Sequence, residues 1–375
     1  MLRERCRRQP GGLYAARMIR PTTRSFLALT VAGALVAVLA QPVGAARPLG
    51  ETKVFTRVPP PGHPEGILVR DGVVYVGTHT SMAGNAGGPP SRIFRYDLAS
   101  GTPIGEFSIQ GQNLSAVHGL VGMSWGPDHR LYVADRNPPR VLAIDFHVSP
   151  PAQVTYATFP NLPRCSSAPP PCAPSTNPGD SLVDGLVFDR NGVLYVSDVQ
   201  KASIFRVRPG GGLGSVWFQD PRLDGPFGVN GLAIEPNGAR LFLAVTISNP
   251  PDSAVQGSIY TLPLASDRPQ PGDLTFVYRF PEPMSCPDGI LFGHSGRLYA
   301  SLACSNQISV LDPIGKELAR FPSAEENARQ EIPWDTPASL FFDGRGSLLV
   351  TNQSYVNAIP EHWAVLESWV DDTSL

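Results

Sequence analysis

The sequence predicts an all-β fold, a six-bladed β-propeller with four-stranded blades. A pair of short strands joined by a tight turn recurs six times along the chain. Two further strand-like segments lie between successive copies, and long helical patterns are absent. Repetition at a period of about 50 residues is typical of propellers and repeat arrays, in which each repeat forms one structural unit.

The recurring pair is clearest at 183–196, where two apolar segments flank the turn at 189–192. From the first apolar residue after the strand head to the second strand, the step is eight residues in four copies, seven in one and nine in another. Such alternation, bounded by Gly, Pro and Asp, is the signal of a strand pair. The six copies are 64–76, 121–133, 183–196, 230–243, 288–300 and 338–350.

The outer strands of the repeats follow the same alternating pattern. They are predicted at 92–97 and 104–109, 140–146 and 153–159, 203–207 and 215–218, 258–262 and 274–280, and 307–311 and 317–321. The sixth repeat has a third strand, at 362–370, but no fourth one. We expect the segment 51–57 to supply it, because a ring closed by the N-terminal strand leaves no open sheet edge.

Residues 1–45 have the pattern of a secretory signal peptide. Arg20 and Arg24 precede an apolar run at 26–39, and small residues follow it. That run is too short for a typical membrane span. We expect cleavage after Ala45, with Met18 as an alternative start of translation, and a mature chain of residues 46–375 that forms one propeller domain. The protein would then be secreted or extracytoplasmic, in a periplasm or cell envelope.

The charge of the chain limits its partners. Removing residues 1–45 takes away seven Arg and one Glu, which changes the formal net charge from −2 to −8. An acidic protein is poorly suited to bind nucleic acid or an anionic membrane surface. We therefore expect a small-molecule partner, no nucleic acid, no membrane span after cleavage, and a monomer.

Four Cys remain after cleavage, an even number that favours disulfides in an exported protein. Cys165 and Cys172 flank a Ser- and Pro-rich stretch that cannot form regular structure, whereas Cys286 and Cys304 bracket the fifth strand pair. Four Cys allow three pairings. We favour 165–172 and 286–304; free buried thiols are the alternative.

Loop lengths indicate which face of the ring carries function. The turns inside the strand pairs are short, and the long connections all fall on the opposite face, where each inner strand begins. Long loops on one rim of a rigid scaffold usually carry binding residues. These connections are 78–91, 110–120, 160–183, 220–229, 246–257, 322–337 and 352–361.

Polar side chains stand at the heads of four of the six inner strands. The six equivalent positions are Glu65, Val121, Asp184, Asn230, Asp288 and Ala338. Converging carboxylates repel one another unless a proton or a cation neutralises them. Oxygen ligands without Cys favour a hard divalent cation, Ca²⁺ first, with Mg²⁺, Mn²⁺ or Zn²⁺ as alternatives. Asp and Asn before Gly are also ordinary turn formers, a structural alternative that does not apply to Glu65.

Three short motifs are similar to those of the senescence marker protein (regucalcin)/gluconolactonase family of six-bladed propellers. They are Pro64-Glu65-Gly66, Asn230-Gly231-Leu232 and Pro287-Asp288-Gly289. The resemblance covers residues 51 to about 355. It implies that the Glu, Asn and Asp of these motifs bind one divalent cation in the channel and that the protein hydrolyses lactones. Val183 precedes Asp184 where the family has Asn, which weakens the case for a sugar lactone.

The segment His118-Gly119-Leu120 resembles the His-Gly-Ile of the related paraoxonases, in which the His is a proposed base. We therefore predict a metal-dependent lactonase or esterase, with His118 and Asp288 as catalytic residues and Asn352 in the pocket wall. Trp334, Trp363 and Leu114 suggest an apolar rim, suited to a substrate less polar than a sugar. A rim histidine that bonds to backbone is the alternative for His118.

A non-catalytic propeller is the alternative function. It would hold a peptide, glycan or small molecule on the same rim, as in NHL-type and strictosidine synthase-like relatives. Fold alone does not decide between the two functions. An ion with an open coordination position beside a pocket would favour catalysis, whereas an ion-free channel would favour binding.

Overall fold

Residues 47–375 form a ring of six antiparallel sheets, each of them one blade. A computed structural model describes residues 47–79, 87–176, 179–249 and 256–375. The predicted signal peptide lies outside the described residues. The innermost strands of the six sheets contact one another in a closed circle. Among the described residues, no helix has the length and apolar character needed to cross a membrane.

The first three blades follow the chain in order after the N-terminal strand. That strand is β1 (Thr52–Arg57). Blade one comprises β2 (Pro64–Arg70), β3 (Val73–Thr78), β4 (Arg92–Asp97) and β5 (Pro103–Ser108). Blade two comprises β6 (Leu120–Trp125), β7 (Leu131–Asp135), β8 (Arg140–Asp145) and β9 (Ala152–Thr158). Blade three comprises β10 (Val183–Phe188), β11 (Leu194–Asp198), β12 (Ser203–Val207) and, after the short β13 (Gly212–Leu213), β14 (Ser215–Gln219).

The remaining blades repeat the arrangement. Blade four comprises β15 (Phe227–Ile234), β16 (Arg240–Ile247), β17 (Ser258–Pro263) and β18 (Thr275–Arg279). Blade five comprises β19 (Pro287–Phe292), β20 (Leu298–Leu302), β21 (Gln307–Leu311) and β22 (Glu317–Phe321). Blade six comprises β23 (Pro337–Phe342), β24 (Ser347–Asn352), β25 (Ala364–Trp369) and β1.

The N-terminal strand closes the ring, as predicted. Strand β1 pairs antiparallel with β25, with Thr52 opposite Ser368 and Arg57 opposite Ala364. Because the first and last strands of the domain share one sheet, the ring is held together by main-chain hydrogen bonds and not by packing alone. The six-bladed architecture of the prediction is confirmed.

A few short elements were not predicted. Strand β13 pairs in parallel with β9 and so joins the outer edges of blades two and three. One helical turn, α1 (Ala324–Asn327), begins at Ser323, whose side chain accepts from the Glu326 amide. Segments of two to four residues carry no periodic signal, so a sequence pattern cannot reveal them. Three 3₁₀ turns occupy Pro221–Leu223, Pro271–Asp273 and Pro360–His362.

Aromatic rings pack between neighbouring blades in a repeated way. A Tyr or Phe near the start of the second strand of one blade meets the Phe near the end of the first strand of the next, edge to face. Such pairs add about 0.5–1.5 kcal/mol beyond their buried area. The ring centroids are 4.7 Å apart for Tyr132–Phe188, 4.9 Å for Phe242–Phe292 and 5.5 Å for Tyr299–Phe342.

Both favoured disulfides are present. Cys165 pairs with Cys172 inside the long loop between blades two and three, with Cα atoms 4.9 Å apart. Cys286 pairs with Cys304, with Cα atoms 5.3 Å apart. The second disulfide ties the residue before β19 to the loop after β20, and it therefore holds the rim of blade five.

Candidate functional site

A cavity of about 230 Å³ opens on the face of the ring that carries the long loops. We call it the upper cavity. It lies at the heads of the inner strands, where the sequence predicts a constellation of polar residues. Its polar lining residues include Glu65, His79, Arg136, Asp184, Asn230, Asp288, Thr336, Gln353 and Tyr355.

The structure brings the four predicted polar residues together. Glu65, Asp184, Asn230 and Asp288 come from blades one, three, four and five, and all four line the upper cavity. Glu65, Asp184 and Asn230 are buried, and Asp288 is partly buried. Val121, which occupies the equivalent position of blade two, also lines the cavity and adds an apolar surface.

A β-bulge at the head of every inner strand aims these side chains. In each blade the register between the first two strands shifts at this point, for example between Val183 and Leu186 and between Pro287 and Ile290. A bulge inserts extra residues and re-aims their side chains, and such features often lie beside functional sites. Asp184 and Asp288 are therefore strand residues and not turn residues.

Only glycine fits directly after each of these residues, because the inner strand of the next blade lies too close for a Cβ. A Cβ on Gly122 would lie 2.6 Å from the carbonyl oxygen of Asp184, and a Cβ on Gly231 would collide with the carbonyl oxygen of Asp288. The inner strands thus approach more closely than a side chain permits. The same close approach occurs at Gly66, Gly185 and Gly289.

Hydroxyl groups fix the main chain of the site residues from the neighbouring blade. Ser197 of blade three donates to the carbonyl oxygen of Asn230 at 2.6 Å. Thr351 of blade six donates to the carbonyl oxygen of Glu65 at 2.7 Å. These bonds are buried, so each holds the head of an inner strand at a set distance from its neighbour.

The carboxylates influence one another. Burial, followed by the charges of Asp184 and Asp288, raises the pKa of Glu65 well above its usual range. Burial and the charge of Asp288 likewise raise the pKa of Asp184. Burial raises the pKa of Asp288 to about 7, although the Asn230 amide donates to its Oδ1 at 2.8 Å and favours the charged form. Three acids that resist ionisation together form a site that favours a positive charge.

A second group of cavity residues, here called the second tier, was not predicted from the sequence: His79, Arg136, Gln353 and Tyr355. The Gln353 amide donates to Glu65 Oε2 at 2.9 Å. Arg136 Nη1 donates to the Tyr355 hydroxyl at 3.0 Å and lies 3.4 Å from His79 Nε2. Each of these residues lies at or just beyond the end of a second strand.

The position of this tier follows from strand pairing. The last residue of each second strand lies opposite the head of the first strand, for example Asp135 opposite Leu120 and Asn352 opposite Pro337. The next residue, Arg136 or Gln353, therefore returns to the same rim. Comparing the residues that follow the second strands of the six repeats, as was done for the heads of the first strands, would have identified these positions.

The structure places His118 outside the upper cavity. Its imidazole is fully buried, with Nδ1 2.9 Å from the Ala116 carbonyl oxygen and Nε2 2.9 Å from the Pro89 carbonyl oxygen. His79 lines the cavity instead, and its ring packs so closely on Gly119 that a Cβ there would collide with it. The geometry is that of the backbone-bonding alternative, and a catalytic role for His118 stays a prediction.

Asn352 also lies outside the cavity. It is fully buried, and its side chain bonds to the main chain of Pro333, Asp335 and His362. These bonds fix the loop before β23 and the loop that follows β24. Gln353, the next residue, occupies the place in the cavity wall expected of Asn352.

The apolar rim is made of residues other than those expected. Trp334 is buried in the core between blades five and six, and neither Trp363 nor Leu114 lines the cavity. The apolar character of the wall is nevertheless pronounced. It comes from Val121, Leu182, Phe227, Ile247, Met284 and Val356.

The donor set suits a hard divalent cation in kind. Glu65, Asp184 and Asp288 offer carboxylate oxygens and Asn230 an amide oxygen, which are ligand types of Ca²⁺, Mg²⁺ and Mn²⁺. Within the described ranges, however, no three His, Cys, Asp or Glu side chains are grouped closely enough to hold a metal ion.

Comparisons with known proteins support the fold. No protein-family model and no curated protein matches the chain. Its structure is similar to that of regucalcin, a calcium-binding protein from Agrobacterium tumefaciens, with a TM-score of 0.56 and 15% identity over 86% of this chain and 97% of that one. It is also similar to a gluconolactonase from Xanthomonas campestris, with a TM-score of 0.54 and 14% identity over 86% and 90% of the two chains.

A third solved structure has a different chemistry. Virginiamycin B lyase from Staphylococcus aureus has a TM-score of 0.51 and 17% identity over 80% of this chain and 82% of that one. Likeness at such identities establishes architecture, and one architecture serves many activities. The structural neighbours include the regucalcin and gluconolactonase propellers that the three motifs resemble, and the chain has their six-bladed fold.

Proposed function

We propose that the chain is an exported hydrolase of lactones or esters that uses one divalent cation in the upper cavity. The observation that carries the proposal is the convergence of buried Glu65 and Asp184 and partly buried Asp288 on one cavity with apolar walls. Similarity to a gluconolactonase adds support at the level of the fold. The two disulfides are consistent with an extracytoplasmic protein.

The charges of the upper cavity favour a divalent cation. Three carboxylates and the guanidinium of Arg136 leave two negative charges when all are ionised. A divalent cation, Ca²⁺ first, would neutralise them and remove the repulsion that raises the pKa of the acids. Glu65, Asp184, Asn230 and Asp288 would hold the ion. When bound, it supplies a Lewis acid that polarises the carbonyl group of the substrate.

Asp288 is the residue best placed to move a proton. The Asn230 amide holds its Oδ1, which orients the carboxylate at the cavity wall. We assign it the role of taking a proton from the attacking water and returning it to the leaving oxygen. Water adds to the acyl carbon, and the carbon–oxygen single bond of the ester breaks to release an acid and an alcohol.

The apolar walls favour a neutral substrate with hydrocarbon parts over a sugar. Phe227, Ile247 and Met284 offer no hydrogen-bonding side chains for a row of hydroxyl groups. Excluding water with such walls strengthens every electrostatic interaction inside the cavity.

A non-catalytic binding propeller remains the second candidate. The observation that favours it is Arg136, whose guanidinium lines the same cavity and offsets part of the acidic charge without a cation. In that case the cavity would hold a neutral or cationic small molecule without turnover.

The deciding experiment measures hydrolysis of lactones and aryl esters by the purified protein, with chelator and after restoring Ca²⁺, Mg²⁺, Mn²⁺ or Zn²⁺. We expect activity that chelation abolishes, that one cation restores and that Asp288→Ala removes. Asp267→Ala is the matched control, because the Asp267 side chain is 98% exposed on the outer surface. No turnover of any lactone or ester, with a melting temperature indifferent to chelator, would leave the binding propeller.

A further inference from the structure

We infer that Arg136 is a catalytic residue that binds the carbonyl oxygen of the substrate and stabilises the oxyanion formed when water adds. This inference rests on the proposed hydrolase function. The sequence patterns and the motif resemblance assign no role to this residue. Arg136 directly follows β7, the second strand of blade two, and lines the upper cavity.

The guanidinium is anchored at one nitrogen. Nη1 donates to the Tyr355 hydroxyl at 3.0 Å and lies 3.4 Å from His79 Nε2. The main chain is also held, because the Arg136 amide donates to the Gly119 carbonyl oxygen at 2.9 Å. Three blades thus contribute to the position of one side chain.

The other nitrogens of the guanidinium carry the donors that a substrate can use. Among the described residues, neither Nε nor Nη2 has a hydrogen-bond acceptor in the protein. The charge of Arg136 acts to lower the pKa of Glu65 and that of Asp184, against the larger effect of burial. Arg136 nevertheless makes no ion pair with either carboxylate in the part of the chain that the structure describes. A guanidinium that is held at Nη1 and has free N–H donors on Nε and Nη2, within the described residues, is suited to bind an oxygen that gains negative charge.

The position of Arg136 between two cavities indicates where the reacting bond lies. A second cavity of about 670 Å³, here called the side cleft, is lined by Arg136, Asn137, Asn161 and Leu182 among others. Arg136 and Leu182 belong to the walls of both cavities. A substrate with one arm in each cavity would have its ester carbonyl beside Arg136, a wall residue that both cavities share.

The chemistry balances without another reactant. Water adds to the acyl carbon while Asp288 takes its proton, and the carbonyl electron pair moves to the oxygen held by Arg136. The oxyanion then collapses, the alkoxy group leaves, and it takes the proton from Asp288. The guanidinium stays charged throughout, so no proton transfer to or from Arg136 is needed.

The alternative is that Arg136 serves only to offset the charge of the carboxylates. The two roles differ in what Arg136→Met should change. Loss of an oxyanion donor lowers kcat by about 10²–10³ fold and weakens binding of a tetrahedral anion by a comparable factor. Loss of a counter-ion alone strengthens cation binding and weakens anion binding only through the lost charge, which Arg136→Lys restores.

The test uses phenyl acetate as substrate and phenyl methylphosphonate, a stable tetrahedral anion, as the transition-state analogue. Wild type, Arg136→Met and Arg136→Lys are compared in kcat/KM, in phosphonate affinity by calorimetry and in melting temperature. Arg329→Met is the matched control, because the Arg329 side chain is 66% exposed. We expect kcat/KM and phosphonate affinity to fall together in Arg136→Met, with little recovery in Arg136→Lys.

Every result of this test either supports or overturns the inference about Arg136. Phosphonate affinity or kcat/KM of Arg136→Met within about threefold of wild type, well short of the loss expected for an oxyanion donor, overturns the inference. If the wild type hydrolyses neither esters nor lactones, the proposed function fails on its own. Phosphonate binding that depends on Arg136 would then still support the anion-binding role, whereas no phosphonate binding by the wild type would refute it as well.

Discussion

Replacing Gly231 with Ala should separate two blades at the candidate site. An added Cβ would collide with the carbonyl oxygen of Asp288 and lie 3.1 Å from both the Asp288 carbonyl carbon and the Ile290 amide nitrogen. All three atoms belong to the main chain of β19, so no side-chain rotation can relieve the contact. Overpacking of this kind costs about 1–3 kcal/mol. With about 2–3 °C per kcal/mol for a large domain, we expect the melting temperature to fall by roughly 2–9 °C.

The assay is thermal unfolding followed by calorimetry, with Gly272→Ala as the matched control. Gly272 has no atom within 4 Å of an added Cβ. We expect the control to match the wild type, and Gly231→Ala also to lose hydrolytic activity because it displaces Asp288. Equal melting temperatures for the two variants would refute the conclusion that the glycine exists for close approach of the blades.

Three other predictions concern the same region. Thr351→Val removes the bond to the Glu65 carbonyl oxygen, and leaving that buried acceptor without a donor should cost about 1–3 kcal/mol in denaturant unfolding; an unchanged midpoint would contradict it. Burial raises the pKa of Asp288 from 3.8 to about 7 in the folded protein. Because the folded state then binds the proton more tightly than the unfolded state, the contribution of Asp288 to the free energy of unfolding of the chelated protein should fall as pH rises from about 4 to 7. The difference in melting temperature between wild type and Asp288→Asn should change over this range, and a constant difference would count against the shift. Replacing Cys286 and Cys304 with Ser should cost about 3 kcal/mol by loop entropy and lower activity, since both residues line the upper cavity; full activity would show that the rim does not need this disulfide.

Local pattern was sufficient for most of the fold. Every predicted strand is present, and β1 pairs with β25 as expected. The ends agree within about two residues except in blade four, where β15 begins at Phe227 and not at 230, and β16 ends at Ile247 and not at 243. Alternation of period two is a property of short segments, and it reports which face of a strand is buried. Closure of the ring could be predicted because one repeat lacked a strand and the N-terminal segment was the one available.

The first tier of the site was also predictable. Glu65, Asp184, Asn230 and Asp288 share one position in the repeat, and equivalent positions of a closed ring meet at its centre. That argument needs only register, which the repeats supply. It could not supply the distances between the carboxylates, which depend on how closely the blades approach.

Tertiary structure alone decided the rest. Arg136, His79 and Tyr355 meet because loops from three blades converge, and loop paths follow contacts between segments that are remote in the sequence. For the same reason, only the tertiary structure shows that the His118 ring bonds to the main-chain carbonyl groups of Ala116 and Pro89. The sequence by itself determined the strands, the ring and the acidic positions, since these follow from periodic local burial. Strand pairing also places Arg136 and Gln353 on the rim, but the contacts that they make there were decided by packing between blades, which no single repeat encodes.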